Sequence, residues 1–155
     1  VPVLGAGFAS GHMHLSGADS LTGFKAGTAL DQALGLAGLD RADIDLALVY
    51  DCFTIAMLIN LEDLGFIPKG QAGPAFLEGC FEPAGATTRL PVNTHGGLLS
   101  HGHPARAGGM GHLVEAVLQL RGEAGERQLD AVEIAMVHGM GGVFATHGVL
   151  LLGQP

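Results

Sequence analysis

Glycine constrains this chain more than any other residue, because it fills 26 of the 155 positions, over twice the usual share of about 7%. The glycines follow no three-residue period and only 7 residues are proline, which excludes collagen-like and linker-like chains. Disorder is excluded as well, since 48% of the residues are hydrophobic and only 14% are charged. Dense glycine in an ordered, aliphatic chain predicts tight turns and places where backbone lies directly against other backbone or a ligand.

The charge of the chain and its cysteines indicate which partners and which cellular compartment to expect. The chain has 7 Lys+Arg against 15 Asp+Glu, a net charge of −8 without a basic cluster, so we expect no nucleic-acid partner. Cys52 and Cys80 have neither metal-site nor disulfide-framework spacing, which predicts a cytoplasmic protein. No apolar run reaches the roughly 18 residues of a membrane span. The strand-like start at Val1, without an initiating methionine, predicts a domain cut from a longer chain.

The hydrophobic pattern predicts a single α/β domain over residues 1–155, with elements in the order β-α-β-α-β-α-β-β. Strands are expected over residues 3–9, 44–50, 90–92, 132–138 and 143–152. Three crossovers followed by a hairpin indicate a mixed, mostly parallel five-stranded sheet covered by helices, with an antiparallel final strand.

Small and aliphatic residues at helical spacing predict three helices. The first carries the stripe from Ala26 to Ala37, with Ser20 as its N-cap and Gly38 as its C-terminal stop. The second is expected over residues 54–64. The third ends at Gly122 and carries an apolar stripe of Met110, Leu113, Val114, Val117 and Leu118. Residues 66–88 show no clear periodicity, so we expect a long functional loop there, part of the active-site region.

Polar residues concentrate in three clusters where predicted strands end, at residues 50–53, 93–104 and 138–142. Ligands of open α/β sheets gather at the carboxyl ends of the strands, which makes these clusters candidates for a site. Each cluster also has a simpler structural explanation. Asp51 can cap the helix that follows it, Cys52 can be a small buried hydrophobe, and His103-Pro104 can be a turn with a proline at the first helical position.

Together the clusters predict acyl-transfer chemistry. His95, His101 and His103 crowd one glycine-rich loop, and His138 follows another predicted strand end. A histidine near a helix N-terminus stays neutral, and a neutral imidazole can take the proton of a cysteine thiol to create a nucleophile. The nearby glycines would let an acyl or pantetheine chain lie along the backbone, and their N–H groups could hold a developing oxyanion.

These residues resemble the thiolase superfamily. The stretch NTHGGLLSHGHP at residues 93–104 is similar to the thiolase pattern N-x-x-G-G-x-x-x-x-G-H-P. YDCF at residues 50–53 resembles the H-D-C-F box of sterol-carrier-protein-type thiolases, and LQLRGEAGERQ at residues 118–128 is also similar to that branch. The resemblance covers essentially the whole chain and aligns it with the C-terminal half of such an enzyme, or of a lipid-transfer-protein-like acetyl-CoA acetyltransferase.

The resemblance implies a role for each matching residue. His103 would activate the nucleophilic cysteine of the N-terminal half, which is not in this chain, and Cys52 would serve as the second acid/base. Tyr50 and His95 complete the expected catalytic set. The expected substrate-binding residues are Asn93, Gly96, Gly97, Gly141 and Gly142.

The family's reaction would be a Claisen condensation or thiolytic cleavage next to a coenzyme A thioester. The thioester is the substrate, and no cofactor or metal is expected. The partners would be an N-terminal thiolase half, in the same or a separate chain, and a second copy in a homodimer.

Three departures from the family pattern leave substrate and direction open. Neither Cys52 nor Cys80 stands in the context of the acyl-accepting cysteine, so this chain alone should be inactive. Tyr50 replaces the box histidine, and His138 lies near the position where many thiolases carry a cysteine. Related thiolase-like aldolases cleave steroid side-chain thioesters with tyrosine chemistry and a zinc-ribbon/OB-fold partner, which gives an alternative function.

Two other classes of function stay open at this stage. His12 and His14 would share one face of a strand, so a His-rich metal-dependent hydrolase is conceivable. A polar loop after the first strand explains the same pair without a metal. The chain could also be a non-catalytic, acyl-binding half. The roles of His12, His14, His101 and His138 are not fixed by the sequence.

Overall fold

The computed structural model describes residues 1–154, with Arg106 described through its backbone only. Its strands are β1 (Val3–Ser10), β2 (Leu46–Leu48), β3 (Ile134–Gly141) and β4 (Thr146–Gly153). Its α-helices are α1 (Ala26–Ala37), α2 (Thr54–Asp63), α3 (Ala72–Leu77), α4 (Gly97–Ser100) and α5 (Gly108–Arg121). Short 3₁₀ turns lie at Leu15–Gly17, Arg41–Asp43, Ala105–Ala107 and Gly125–Arg127. The predicted α/β class is confirmed.

The sheet is mixed, in the order β1-β4-β3-β2, with β2 parallel to β3 and β4 antiparallel to both of its neighbours. Within the described residues it has four strands instead of five, so the strand predicted at 90–92 was wrong. Only one of the three strand pairs is parallel, so the prediction of a mostly parallel sheet was wrong as well. The segment 90–92 makes an isolated bridge in which Val92 lies beside Ala47. Pro91 has no N–H to donate, and Asn93 turns the chain away with a φ of 48°, so the ladder cannot extend.

Two predicted helix ends are confirmed and one helix start was wrong. Gly38 and Gly122 end α1 and α5 in the left-handed region, at φ 68° and 71°, where glycine costs least. Helix α1 begins at Ala26 after Lys25, not after Ser20. The Ser20 hydroxyl instead accepts a hydrogen bond from the Thr22 N–H in a local turn at 3.1 Å.

The region 66–88 is more ordered than its sequence pattern predicted. It contains α3, which buries Ala72 and Ala75. The residues that follow this region fold back on it at Cys80, whose carbonyl accepts hydrogen bonds from the N–H groups of Arg89 and Leu90. The segment therefore folds back along the edge of the domain and returns the chain to the bridge beside β2.

Helices cover both faces of the sheet, and α1 lies unusually close to it. A methyl group added at Gly7 would lie 1.9 Å from the Ala29 carbonyl oxygen, and one at Gly5 would lie 2.1 Å from the Ala33 carbonyl oxygen. Ala29 and Ala33 are fully buried on the predicted stripe of small residues. Part of the glycine excess therefore serves contact between the backbones of a strand and a helix.

Helix α5 turns a different face to the core than its apolar residues predicted. Met110 and Val114 are 57% and 52% exposed, while the buried positions of α5 include His112, Glu115 and Gln119. These polar side chains are hydrogen-bonded, which offsets the cost of their burial. None of the helices within residues 1–154 combines the length and apolar character needed to cross a membrane.

We predict that Gly7→Ala destabilises the fold by about 1–3 kcal/mol, because the new methyl group forces α1 away from β1. Gly35→Ala is the matched control. Gly35 lies in α1 with no heavy atom within 4 Å of an added methyl group, and alanine there should stabilise by about 0.5–1 kcal/mol. Urea unfolding measures both changes, and equal free energies for the two variants would contradict the close packing.

Candidate active site

The candidate site is assembled on the backbone of Val49, just after β2. The Asn93 side-chain amide accepts a hydrogen bond from the Val49 N–H at 2.7 Å and donates to the Val49 carbonyl at 2.9 Å. His112 Nε2 of α5 donates to the same carbonyl at 2.9 Å. Three segments that are distant in the sequence are therefore held at one strand end.

Asp51 is a buried cap, although it caps a different helix from the one that the sequence suggested. Its carboxylate accepts from the N–H groups of Leu98 at 2.7 Å and Leu99 at 3.4 Å, at the start of α4, whereas α2 has no side-chain cap. His112 Nε2 lies 3.5 Å from Oδ1. Burial raises the pKa of Asp51, but the hydrogen bonds from His112 and Leu98 outweigh it, so the pKa is lowered overall.

Gly97 must be glycine because the Asp51 carboxylate occupies the place of a side chain. A methyl group added at Gly97 would lie 2.1 Å from Asp51 Oδ2, and the residue has a φ of 64°. Gly97 therefore shapes the loop, and its predicted role in substrate binding stays a prediction.

One cavity brings together most of the predicted catalytic groups. It measures about 790 Å³, and its lining includes Tyr50, Cys52, His103, Gly141 and Gly142. The rings of Tyr50 and His103 meet edge to face, with centroids 5.8 Å apart at 89°. The box at the end of β2, the loop before α5 and the turn between β3 and β4 thus share one concave surface.

Two of these groups hold their protons at neutral pH. Burial, together with the charges of Cys52 and Asp51, raises the pKa of the Tyr50 phenol. Burial is also the main reason that the pKa of the Cys52 thiol is raised, and Asp51 adds to it. Tyr50 and Cys52 can therefore donate hydrogen bonds or protons to a ligand in the cavity.

His95 lies outside the lining of this cavity. Its ring packs edge to face on His112 at 5.1 Å and lies 5.5 Å from His101. Burial, and after it the neighbouring His112, lowers the pKa of His95 to about 4, so the ring is neutral at pH 7. His95 is therefore not among the described residues that line the cavity with His103, although the sequence grouped the two in one catalytic set.

The predicted substrate-binding residues also divide into two groups. Gly141 and Gly142 line the cavity with His103, whereas Asn93 and Gly96 line a second, mostly apolar cavity of about 350 Å³. The side-chain amide of Asn93 is hydrogen-bonded to both backbone groups of Val49. Residues 66–88 contribute nothing to the described lining of the first cavity, and Phe76 of this region lines the second.

Three other histidines are not in the described lining of the cavity. His138 lies inside β3, which continues to Gly141 beyond the predicted strand end at His138, and it is fully buried against His147 of β4. His12 and His14 follow β1 in a loop, so the strand geometry expected for a metal pair was wrong. His12 Nε2 donates to the Val143 carbonyl at 2.9 Å. Among residues 1–154 no three metal-binding side chains come together in a group that could hold an ion.

Sequence reasoning missed the polar core of α5. Glu115 accepts hydrogen bonds from the Thr94 hydroxyl at 2.6 Å, from Gln119 at 3.0 Å and from Arg127 at 2.9 Å. Burial raises the pKa of Glu115, but the hydrogen bonds from Arg127 and Thr94 outweigh this effect, so the pKa is lowered overall. The signal was the spacing of His112, Glu115 and Gln119, which places three polar side chains on one helical face.

We predict that Asp51→Asn destabilises the protein by about 1–3 kcal/mol at pH 7, because the amide NH₂ would face the donors that now bind a carboxylate. The folded pKa of Asp51 lies below its ordinary value of 3.8. Its contribution is therefore present above pH 4 and lost as the pH falls through the folded value. Unfolding experiments should show the difference between variant and wild type shrinking below pH 4. Asp130→Asn, at an exposed position, is the control and should change stability by less than about 0.5 kcal/mol.

Comparisons with known proteins agree with the geometry. Residues 7–154 match the family model for the thiolase C-terminal domain-like family. The acetyl-CoA acetyltransferase of Methanothermobacter thermautotrophicus is 46% identical over 117 residues, which are 76% of this chain and 30% of that protein. Sterol carrier protein 2 of Bos taurus is 40% identical over 105 residues, 68% of this chain and 19% of the relative.

A solved structure, the Ltp2-ChsH2(DUF35) aldolase, superposes with a TM-score of 0.84 and 33% sequence identity over 97% of this chain and 39% of that one. The chain spans 30% or less of the length of these two curated relatives. The family match extends over nearly all of the described residues and includes every group in the cavity. The chain therefore belongs to the thiolase family, as a C-terminal domain.

Proposed function

We propose that this chain is the C-terminal half of an enzyme that makes or breaks a carbon–carbon bond next to a coenzyme A thioester. It would act with an N-terminal thiolase half, in the same or a separate chain, and as a homodimer. One cavity lined by Tyr50, Cys52 and His103 beside the glycine turn supports this proposal, because such chemistry needs groups that take and return protons around a carbonyl.

The first candidate reaction is acyl transfer. In the cleavage direction, a β-ketoacyl-CoA and free coenzyme A give two shorter acyl-CoA thioesters. The nucleophilic thiol would come from the N-terminal half, since Cys80 is 2% exposed in the core and outside the cavity lining. His103 would take the thiol proton, and Cys52, which carries its proton, would supply one to the departing carbanion.

The second candidate is aldol cleavage, and Tyr50 favours it. A β-hydroxyacyl-CoA would split into a ketone and a shorter acyl-CoA without consuming coenzyme A. The protonated phenol of Tyr50 lies beside His103 at the cavity and can donate to the thioester oxygen as negative charge develops there. The aldolase with the similar fold carries a DUF35 partner, so this reaction would bring a comparable partner to this chain.

We predict that His103→Ala in the complete protein lowers turnover of an acyl-CoA substrate by about 10²–10⁴-fold, the usual contribution of a general acid or base. His101→Ala is the matched control, because His101 lies on the same loop, is exposed and is absent from the described cavity lining. Steady-state kinetics measures both. Retention of turnover by His103→Ala within about tenfold would remove His103 from the proton-transfer step.

A thiol titration separates the two candidate reactions. We predict for acyl transfer that one free coenzyme A disappears for each substrate cleaved, whereas aldol cleavage leaves the thiol concentration unchanged and releases a ketone. Tyr50→Phe should then cost less than about tenfold in acyl transfer but about 10²–10³-fold in aldol cleavage, where the phenol faces the developing charge. Cleavage of neither substrate by the complete wild-type protein would refute the proposed function.

A further inference from the structure

His138 and His147 form a buried pair that the proposed chemistry does not use. Both side chains are fully buried, on neighbouring strands β3 and β4, at diagonal positions of the antiparallel register. Their rings lie nearly parallel, 16° apart with centroids separated by 5.3 Å. His138 Nε2 lies 3.0 Å from His147 Nδ1. A buried polar contact of this kind needs each proton in a defined place.

The groups at the two ends of the pair determine those places. At one end the Tyr50 backbone N–H, which can only donate, points to His138 Nδ1 at 3.4 Å. At the other end the Phe144 carbonyl, which can only accept, lies 3.2 Å from His147 Nε2. Both rings must therefore be neutral and protonated on Nε2, and each donates to the next acceptor in the chain.

Burial strengthens this assignment. It lowers the pKa of His138 to about 3 and also lowers the pKa of His147. An additional proton on either ring would place a donor against a donor inside the core. The hydrogen-bond chain therefore runs in one direction, from the Tyr50 N–H through His138 and His147 to the Phe144 carbonyl, across the neutral pH range.

The hydrogen-bond chain connects two segments that both contribute to the lining of the cavity. Tyr50 lies at its first end, and the turn that begins at Gly142 lies at its second. Within that turn Phe144 has a φ of 55°, which is unfavourable for a large side chain. Its carbonyl is held by His147 and its ring stacks on Phe24, with centroids 4.4 Å apart.

We propose that His138 and His147 are positioning residues, whose hydrogen-bond chain sets the distance between Tyr50 and the Gly142 turn and so the shape of the reacting cavity. Neither residue is in the described lining of the cavity. This inference rests on the proposed function for its effect on turnover, while the hydrogen-bond chain itself can be tested without any substrate.

The first experiment is a nitrogen NMR spectrum of the complete protein labelled with ¹⁵N-histidine, with the His147→Asn spectrum used for assignment. Between pH 6 and pH 8 we expect both His138 and His147 to carry a proton on Nε2 and none on Nδ1. A proton on Nδ1 of either ring in the wild-type protein would overturn the proposal whether or not the enzyme turns over acyl-CoA.

The second experiment tests positioning with graded variants. His147→Asn keeps an acceptor for His138 and removes the donor to Phe144, while His147→Phe removes both and keeps a ring. We expect kcat to fall about tenfold in His147→Asn and about a hundredfold in His147→Phe, with KM changed less than about twofold, because a displaced turn affects the transition state more than binding. His14→Asn, at an exposed loop histidine, is the control and should match the wild type.

The backbone amide resonances of Tyr50 and Gly142 provide a readout independent of turnover. Both should shift in the two His147 variants and stay unchanged in His14→Asn. Unchanged amide resonances in His147→Phe, or a kcat within twofold of wild type, would overturn the positioning role. If the wild-type protein cleaves no acyl-CoA, the proposed function fails while the nitrogen spectrum and the amide shifts still decide this inference.

Discussion

The two hydrogen bonds between the Asn93 amide and the backbone of Val49 hold the candidate site together. Strand β2 has only three residues, and the segment beside it makes a single bridge, so the sheet alone cannot fix the geometry beyond Leu48. Asn93 replaces the missing ladder with a side chain that both donates and accepts, while its own backbone turns away at φ 48°. Because His112 shares the Val49 carbonyl, α5 is tied to the same point.

The glycines serve this arrangement in two different ways. Near α1 they remove side chains so that helix and strand backbones touch, which brings the covering helix close to the sheet. Near the site, Gly97 leaves room for the Asp51 carboxylate, so that a buried charge can bind the N–H groups that begin α4. In both places glycine is required because another atom occupies the Cβ position, and conformational freedom is a secondary reason.

The sequence predicted the α/β class, the three longest helices, two glycine helix stops and the loops that carry Tyr50, Cys52 and His103 to one cavity. These features follow from local patterns and from the rule that ligands bind at strand ends. It could not predict the buried face of α5. The orientation of this helix depends more on polar side chains that form hydrogen bonds with distant residues than on its apolar stripe. The partners of Glu115, at Thr94 and Arg127, lie 21 and 12 residues away, beyond any helical periodicity. For the same reason the strand was predicted to end at His138 and not at Gly141, since the pairing of His138 with His147 is visible only in the folded sheet.

The charge distribution around the cavity suits the proposed chemistry. The described lining contains no Asp, Glu, Lys or Arg, and the carboxylate of Asp51, between Tyr50 and Cys52 in the chain, is occupied by backbone N–H groups. Among the polar groups of the described lining, the Tyr50 phenol and the Cys52 thiol keep their protons because their pKa values are raised, while His95 and His138, which are not in that lining, are neutral through burial. The described part of the lining can receive a neutral thioester without a desolvated charge, and its donors gain strength when an enolate oxygen develops negative charge. Such a surface favours the transition state over the ground state, which is the condition for raising kcat rather than tightening substrate binding.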